Sequence, residues 1–151
     1  QATTLNPSVQ TEIQKLDTLV TKTNQEIFSV SSVFPLDLFP DTINIDSNKI
    51  DIIHRSFFIE KQIFPILLKN VTSVVLTTNL FFATITIEVL GYEANPEPIR
   101  FLWHRDAVIA RRIILGLTAC VKEGIDLAKI PQKQLRSKVE EIGSAHEHNN
   151  V

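Results

Sequence analysis

The apolar positions of this chain change period twice. From Pro7 to Phe28 they fall at Val9, Ile13, Leu16, Val20 and Ile27, with Thr23 completing steps of 4, 3, 4, 3 and 4. That spacing predicts an amphipathic helix with a coiled-coil seam. Asn6 before Pro7 supplies a cap and a first helical residue. A helix of this length is marginal alone, so its seam needs a surface. The surface is either its own domain or a second copy of the chain. Ser29 to Pro40 then mixes β-branched, aromatic and proline residues. Pro35 and Pro40 push the residues before them to extended geometry, which predicts a linker whose phenylalanines dock on the core.

From Asp41 to about His104 the period is two. Ile43 and Ile45 alternate with Asn44 and Asp46, and Ile50 and Ile52 flank Asp51. Asp46-Ser47-Asn48-Lys49 between them is turn chemistry, so the segment predicts a hairpin. The second strand runs on through His54, Arg55 and Phe57 to a turn at Glu60-Lys61. Gln62–Lys69 is a strand that Pro65 assigns to an edge or a bulge. Val71–Thr78 is another, ended by a turn at Asn79-Leu80. Phe82–Leu90 follows, with Ile85, Ile87 and Val89 on one face. In the last strand Ile99, Phe101 and Trp103 are expected on one face, and Arg100, Leu102 and His104 on the other. Six or seven short strands joined by turns predict an antiparallel barrel or sandwich.

The period then returns to helical. Asp106 is the expected N-cap and Gly124 the C-cap of a helix whose stripe is Ile109, Ile113, Leu117 and Cys120, with Ile114 and Val121 beside it. This helix is expected to plug one end of the barrel. A further helix is predicted from Pro131 to Ile142, stopped by Gly143 and followed by a polar tail. The reading is α+β, divided into a helix and linker (1–40), a strand domain with its closing helix (41–124), and a C-terminal helix and tail (125–151).

Composition narrows the function. The chain has 151 residues, 15 Lys and Arg against 17 Asp and Glu, and a formal net charge of -2. The imbalance lies in residues 1–40, with two basic and four acidic groups. A dedicated nucleic-acid binder needs a strong cationic excess, so that class is disfavoured. One cysteine cannot form an internal disulfide. There is no methionine, and the chain begins at Gln1, which suggests a processed or excised chain. No apolar run is long enough to span a bilayer, and no signal peptide is visible at the start. A cytoplasmic location, with membrane-peripheral binding as the variant, is the expectation.

The order of elements adds a resemblance. Residues 41–50 (DTINIDSNKI) resemble the first hairpin of bacterial pleckstrin-homology-like (PH-like) domains. Residues 66–74 (ILLKNVTSV) resemble their strand junction, with Leu67 where the family usually has Pro. Residues 81–87 (FFATITI) are similar to the strand that follows, with Ala83 where Gly is common, and 106–117 to the closing helix. The similarity covers about residues 41–118. It implies a PH-like antiparallel β-barrel or sandwich of six or seven strands, capped by an amphipathic helix between helical extensions. It also implies a scaffold for binding lipids, peptides or proteins, without saying which.

Chemistry is sparse. His54 and His104 are far apart, and His146 and His148 lie near the end. Together with one cysteine in a helix stripe, they do not make a zinc pattern. Cys120 reads as a small buried hydrophobe. There is no phosphate loop, nucleophile elbow or zinc-protease motif, so no catalytic residue, metal or cofactor is expected. Asn70-Val71-Thr72 matches a glycosylation sequon, a pattern short enough to recur by chance. The candidate anionic-ligand surface comprises Lys49, His54, Arg55 and Lys61 on the first strands, and Arg100, His104, Arg105, Arg111 and Arg112 around the last strand and helix. The candidate self-association helix carries Val9, Ile13, Leu16, Val20 and Ile27. The expected function is a non-enzymatic binding and assembly module for a protein partner or itself. The alternative is a peripheral module docking on anionic lipid through Lys49, Arg55 and Lys61.

Overall fold

The structure is a computed structural model that describes residues 6–23, 26–57 and 60–149. The elements run α1 (Pro7–Thr23), β1 (Glu26–Ser31), β2 (Thr42–Asp46), β3 (Lys49–Ser56), β4 (Glu60–Leu67), β5 (Val71–Thr78), β6 (Phe82–Val89), β7 (Ile99–Trp103), α2 (His104–Lys122) and α3 (Gln132–Asn149). Short 3-10 turns at Leu68–Asn70 and Leu127–Lys129 join β4 to β5 and α2 to α3. One sheet has the order β1-β2-β3-β4 and the other β5-β6-β7, with every pairing antiparallel. Among the described residues no strand pairing joins the two sheets. Of the two expected arrangements, barrel or sandwich, the closed barrel is therefore not formed. The two sheets and α2 share one core instead.

The turns form where short polar side chains hold the backbone. Asp46 Oδ1 accepts from the N–H groups of Asn48 at 2.7 Å and Lys49 at 2.8 Å. Asn79 Oδ1 does the same for Phe81 at 3.2 Å and Phe82 at 2.7 Å. These two turns set registers that send Ile43, Ile45, Ile50 and Ile52, then Ile85 and Ile87, into the core. β4 lies at a sheet edge, where the missing N–H of Pro65 costs no ladder bond. The predicted turn at Glu60-Lys61 is instead the start of β4, and residues 58–59 before it lie outside the described ones.

Other expectations change as well. The first helix stops at Thr23, and residues 26–31 form β1, paired to β2 from Glu26↔Asp46 to Ser31↔Thr42. Ile27 is thus a core residue of a strand and no part of the helical seam. The 4/3 spacing continues through it because one apolar residue at the right step satisfies both periods. The segment read as a linker from Ser29 therefore begins as sheet, and its turn follows at 34–39 with a cis peptide at Phe34-Pro35. Ser32 Oγ donates to Asp37 Oδ2 at 2.6 Å and accepts from the Asp41 N–H at 2.8 Å, tying that turn down.

In β7 the expected alternation fails. Ile99 and Leu102 are buried, while Phe101 and Trp103 are exposed. Phe101 has a φ of 56°, a left-handed conformation that is costly for a bulky residue. It inserts an irregularity between the pairs Ala83↔Leu102 and Ile85↔Ile99, and the side-chain alternation shifts by one residue. α2 then starts at His104, so Asp106 lies in the first turn and is not the N-cap. A carboxylate there still suits the exposed amides of the helix start.

α3 runs through Gly143 to Asn149, so the expected stop at that glycine and the polar tail from Ala145 are both replaced by helix. The glycine has another use. A Cβ at Gly143 would lie 1.9 Å from the Arg112 carbonyl oxygen, and a Cβ at Gly116 would lie 1.9 Å from that of Val139. Each helix thus offers a glycine to the backbone of the other, four residues from the point where it receives one. Antiparallel α2 and α3 pack backbone to backbone at this crossing. Glu147 then clamps the end of α3, accepting from Arg111 and, at 2.9 Å, from Arg112 Nε.

Gly116→Ala and Gly143→Ala are each expected to cost at least about 1–3 kcal/mol, because the obstructing atoms are backbone and cannot rotate away. Gly124→Ala meets nothing within 4 Å and is strained only by its φ of 71°, so it should cost about 1 kcal/mol. Urea unfolding of the three variants checks the ranking.

Candidate functional site

The first-strand cations do not converge. Lys49 opens β3, where its Nζ donates to Asp51 Oδ2 at 2.8 Å. That hydrogen bond raises the Lys49 pKa above 10.5; partial burial opposes it, and the charges of Asp51 and Asp46 add to it. His54 and Arg55 lie near the other end of the strand. His54 Nδ1 is 2.9 Å from Asp41 Oδ2, and the Arg55 N–H donates to Asp41 Oδ1 at 3.1 Å. The Arg55 guanidinium reaches the Pro40 carbonyl at 3.3 Å. Lys61 faces Arg55 across the β3–β4 ladder and is exposed. One carboxylate therefore fixes both the imidazole and the backbone of the residue beside it.

A cleft of about 450 Å³ opens here, between His54 and Arg55 on β3, Glu60 and Phe64 on β4, and Pro96 and Glu97 of the β6–β7 loop. Its charged lining is Asp41, Glu60 and Glu97 against Arg55, which is -3 and +1, or -2 with His54 neutral. A concave site with that balance repels phosphate. His54 Nε2 is buried without a hydrogen-bond partner, as are Asp51 Oδ1 and Thr118 Oγ1. The acidic members escaped the sequence reading because Glu97 reaches the cleft from a loop about forty residues away.

The second basic group divides along α2. Arg100, His104 and Arg105 are exposed around the end of β7. Arg111 and Arg112 are about two turns further on, roughly 10 Å along the axis, and face α3. Arg111 Nε donates to the Val74 carbonyl at 3.0 Å as well as pairing with Glu147. Arg112 shares that carboxylate. These two arginines are structural ties between helix, sheet and helix.

Among the described residues no group of three or more His, Cys, Asp or Glu is placed to hold a metal. Cys120 is buried, and burial pushes its thiol pKa above 9.0, so the nucleophilic thiolate is disfavoured. His148 Nδ1 lies 2.8 Å from the Ser144 carbonyl within α3. No helix of the described residues is long and apolar enough to cross a membrane.

The seam residues Val9, Ile13 and Leu16 sit on α1, and every described side chain from Pro7 to Leu19 is exposed. The Val20 side chain lies outside the described residues. The structure also reveals an exposed apolar rim that periodicity did not. Phe34, Leu36 and Leu38 of the β1–β2 turn, Leu80 and Phe81 of the β5–β6 turn, and Phe101 and Trp103 of β7 are all exposed. Phe34 was expected to dock on the core; at 67% exposure it does not. Phe39 is half-buried, edge-on to Phe57 at 5.3 Å.

No family model matches the chain, and no curated protein matches it.

The Lys49–Asp51 pair yields a test with a definite sign. A lysine pKa raised by folding contributes stability below its unfolded value, and that contribution is lost as pH rises through the folded value. Lys49→Met should therefore destabilise at pH 7 by no more than about 1 kcal/mol, given the exposure of the pair. The difference from the native chain should vanish well above pH 10.5 in urea melts.

Proposed function

We propose that this chain is a non-enzymatic, PH-like binding and assembly module that associates with a second copy through α1. The carrying observation is α1 itself. It has a 4/3-spaced apolar seam at Val9, Ile13 and Leu16, yet its described side chains, Pro7 to Leu19, are all exposed and none is among the described residues of the core. Exposed aliphatic residues at this spacing favour the two-chain solution over packing on the parent domain. A Glu12–Lys15 ion pair at 2.7 Å lies along the helix, as on a solvated coiled-coil flank.

The PH-like part of the reading is supported by a four-stranded and a three-stranded antiparallel sheet in sequential order, followed at once by a helix over the core. The non-enzymatic part is supported by the state of the ionisable groups. Asp41 occupies His54, Glu147 occupies two arginines, and Cys120 is buried with a raised pKa. Anionic-lipid docking through Lys49, Arg55 and Lys61 is the weaker alternative. Lys49 is paired with Asp51, and Arg55 shares its cleft with Glu60 and Glu97.

Ile13→Lys combined with Leu16→Lys leaves the core untouched, because both side chains are exposed. Light scattering should give a dimer or higher species for the native chain and a monomer for the double variant. A monomer in both, or the same oligomer in both, would defeat the proposal.

A further inference from the structure

The apolar rim around the end of β7 is organised. The Val33 N–H donates to the Phe101 carbonyl at 2.9 Å, which brings the turn carrying Phe34 and Leu36 against β7. The His104 N–H donates to the Phe81 carbonyl at 3.1 Å, which brings in the β5–β6 turn. Trp103 stacks on Phe82 with centroids 5.1 Å apart, and Phe82 meets Phe81 edge-on at 6.5 Å. Three separate segments thus place large apolar side chains around one strand end. The most exposed are Leu80 at 84% and Phe34 at 67%.

The left-handed backbone of Phe101 strengthens the case. With ordinary alternation an aromatic residue two positions from Ile99 would share its buried face. Here strain is accepted and the ring is turned into water. Strain that exposes an aromatic side chain opposes stability, so it calls for a use of the exposed ring.

Charge and residue type point to the occupant. Arg100, His104 and Arg105 are exposed beside the rim. The carboxylates of the same segments are less available. Asp37 accepts from Ser32 Oγ and the Phe39 N–H, and Asp106 is half-buried in the first turn of α2. Phenylalanine and leucine on two turns, with tryptophan and phenylalanine on the strand end between them and arginine alongside, match the layer where lipid headgroups meet acyl chains. The rim is a poor template for an added strand, because the Phe101 carbonyl at the outer edge of β7 is already taken by Val33.

We propose that this rim is a bilayer-docking surface, with Phe34, Leu36, Leu80, Phe81, Phe101 and Trp103 entering the interfacial layer and Arg100 and Arg105 meeting lipid phosphates. It is independent of α1 and of the cations on the first strands.

Trp103 is the sole tryptophan, so its fluorescence reports this face alone. The full chain is titrated with phosphatidylcholine vesicles with and without phosphatidylglycerol, the latter series repeated with brominated acyl chains. Trp103 emission should shift to the blue, be quenched by the brominated lipid, and respond more strongly when phosphatidylglycerol is present and salt is low. Phe81→Ser should weaken partitioning about tenfold, and Arg100→Gln with Arg105→Gln several-fold on the anionic vesicles only. Phe101→Gly, which suits the left-handed backbone and so keeps the fold, should weaken it as well. Three results would overturn the proposal. One is Trp103 emission indifferent to vesicles. Another is co-sedimentation with vesicles while Trp103 stays unquenched, which places the contact elsewhere. The third is a blue shift that follows protein concentration without lipid, which assigns the rim to a second copy.

Discussion

The close crossing of α2 on α3 lets a chain of this size finish its core without closing a barrel. Two short sheets leave an apolar surface between them, and α2 covers it with Ala107, Ala110, Ile113, Ile114 and Leu117, all fully buried. A helix that is apolar or small around so much of its circumference needs cover on its other side too. α3 supplies it through Leu135 and Val139, and can come near enough because Gly116 and Gly143 each give up a side chain to the opposing backbone. Closer approach increases the dispersion contact of every flanking pair. The cost is intolerance, since a single methyl group at either position meets backbone.

That arrangement also decides which charges remain for function. The double clamp of Arg111 and Arg112 on Glu147 holds the far end of α3 against α2, and Arg111 reaches Val74 on β5 as well. Two arginines with the look of ligand-binding residues are thereby committed to the fold. On the first sheet Asp41 likewise holds the His54 imidazole, but it takes only the backbone N–H of Arg55. The basic side chains still presented to solvent around β7 are Arg100 and Arg105, with His104 between them, beside the exposed aromatic rim. The surfaces on which the proposals rest are the exposed seam of α1 and the apolar rim around β7.

Much of this was legible from periodicity. The β2–β3 hairpin, β5, β6 and the edge-or-bulge reading of Pro65 followed from local rules, because an isoleucine alternation or an Asp-Ser-Asn turn has one low-energy solution regardless of what surrounds it, whereas the C-cap expected at Gly124 falls on Glu123, with Gly124 left-handed just beyond it. Errors arose where two local solutions were nearly equal. Ile27 satisfied both a helical step and a strand step, and β1 took it because pairing with β2 satisfies its backbone. Gly143 has the composition of a helix stop, and was used for a helix crossing.

The candidate site divides in the same way. The sequence by itself determined the alternating strands, the amphipathic stripes of α1 and α2, and which side chains carry charge, since these depend on residue type and spacing along the chain. The tertiary structure alone decided that the two sheets stay separate, that Phe101 turns outward, that Glu97 enters the cleft beside His54, and that Glu147 occupies two arginines. Each of those is a meeting of groups far apart in sequence. Its free energy comes from packing, desolvation and charge pairing across space, and no window of residues along the chain contains those quantities.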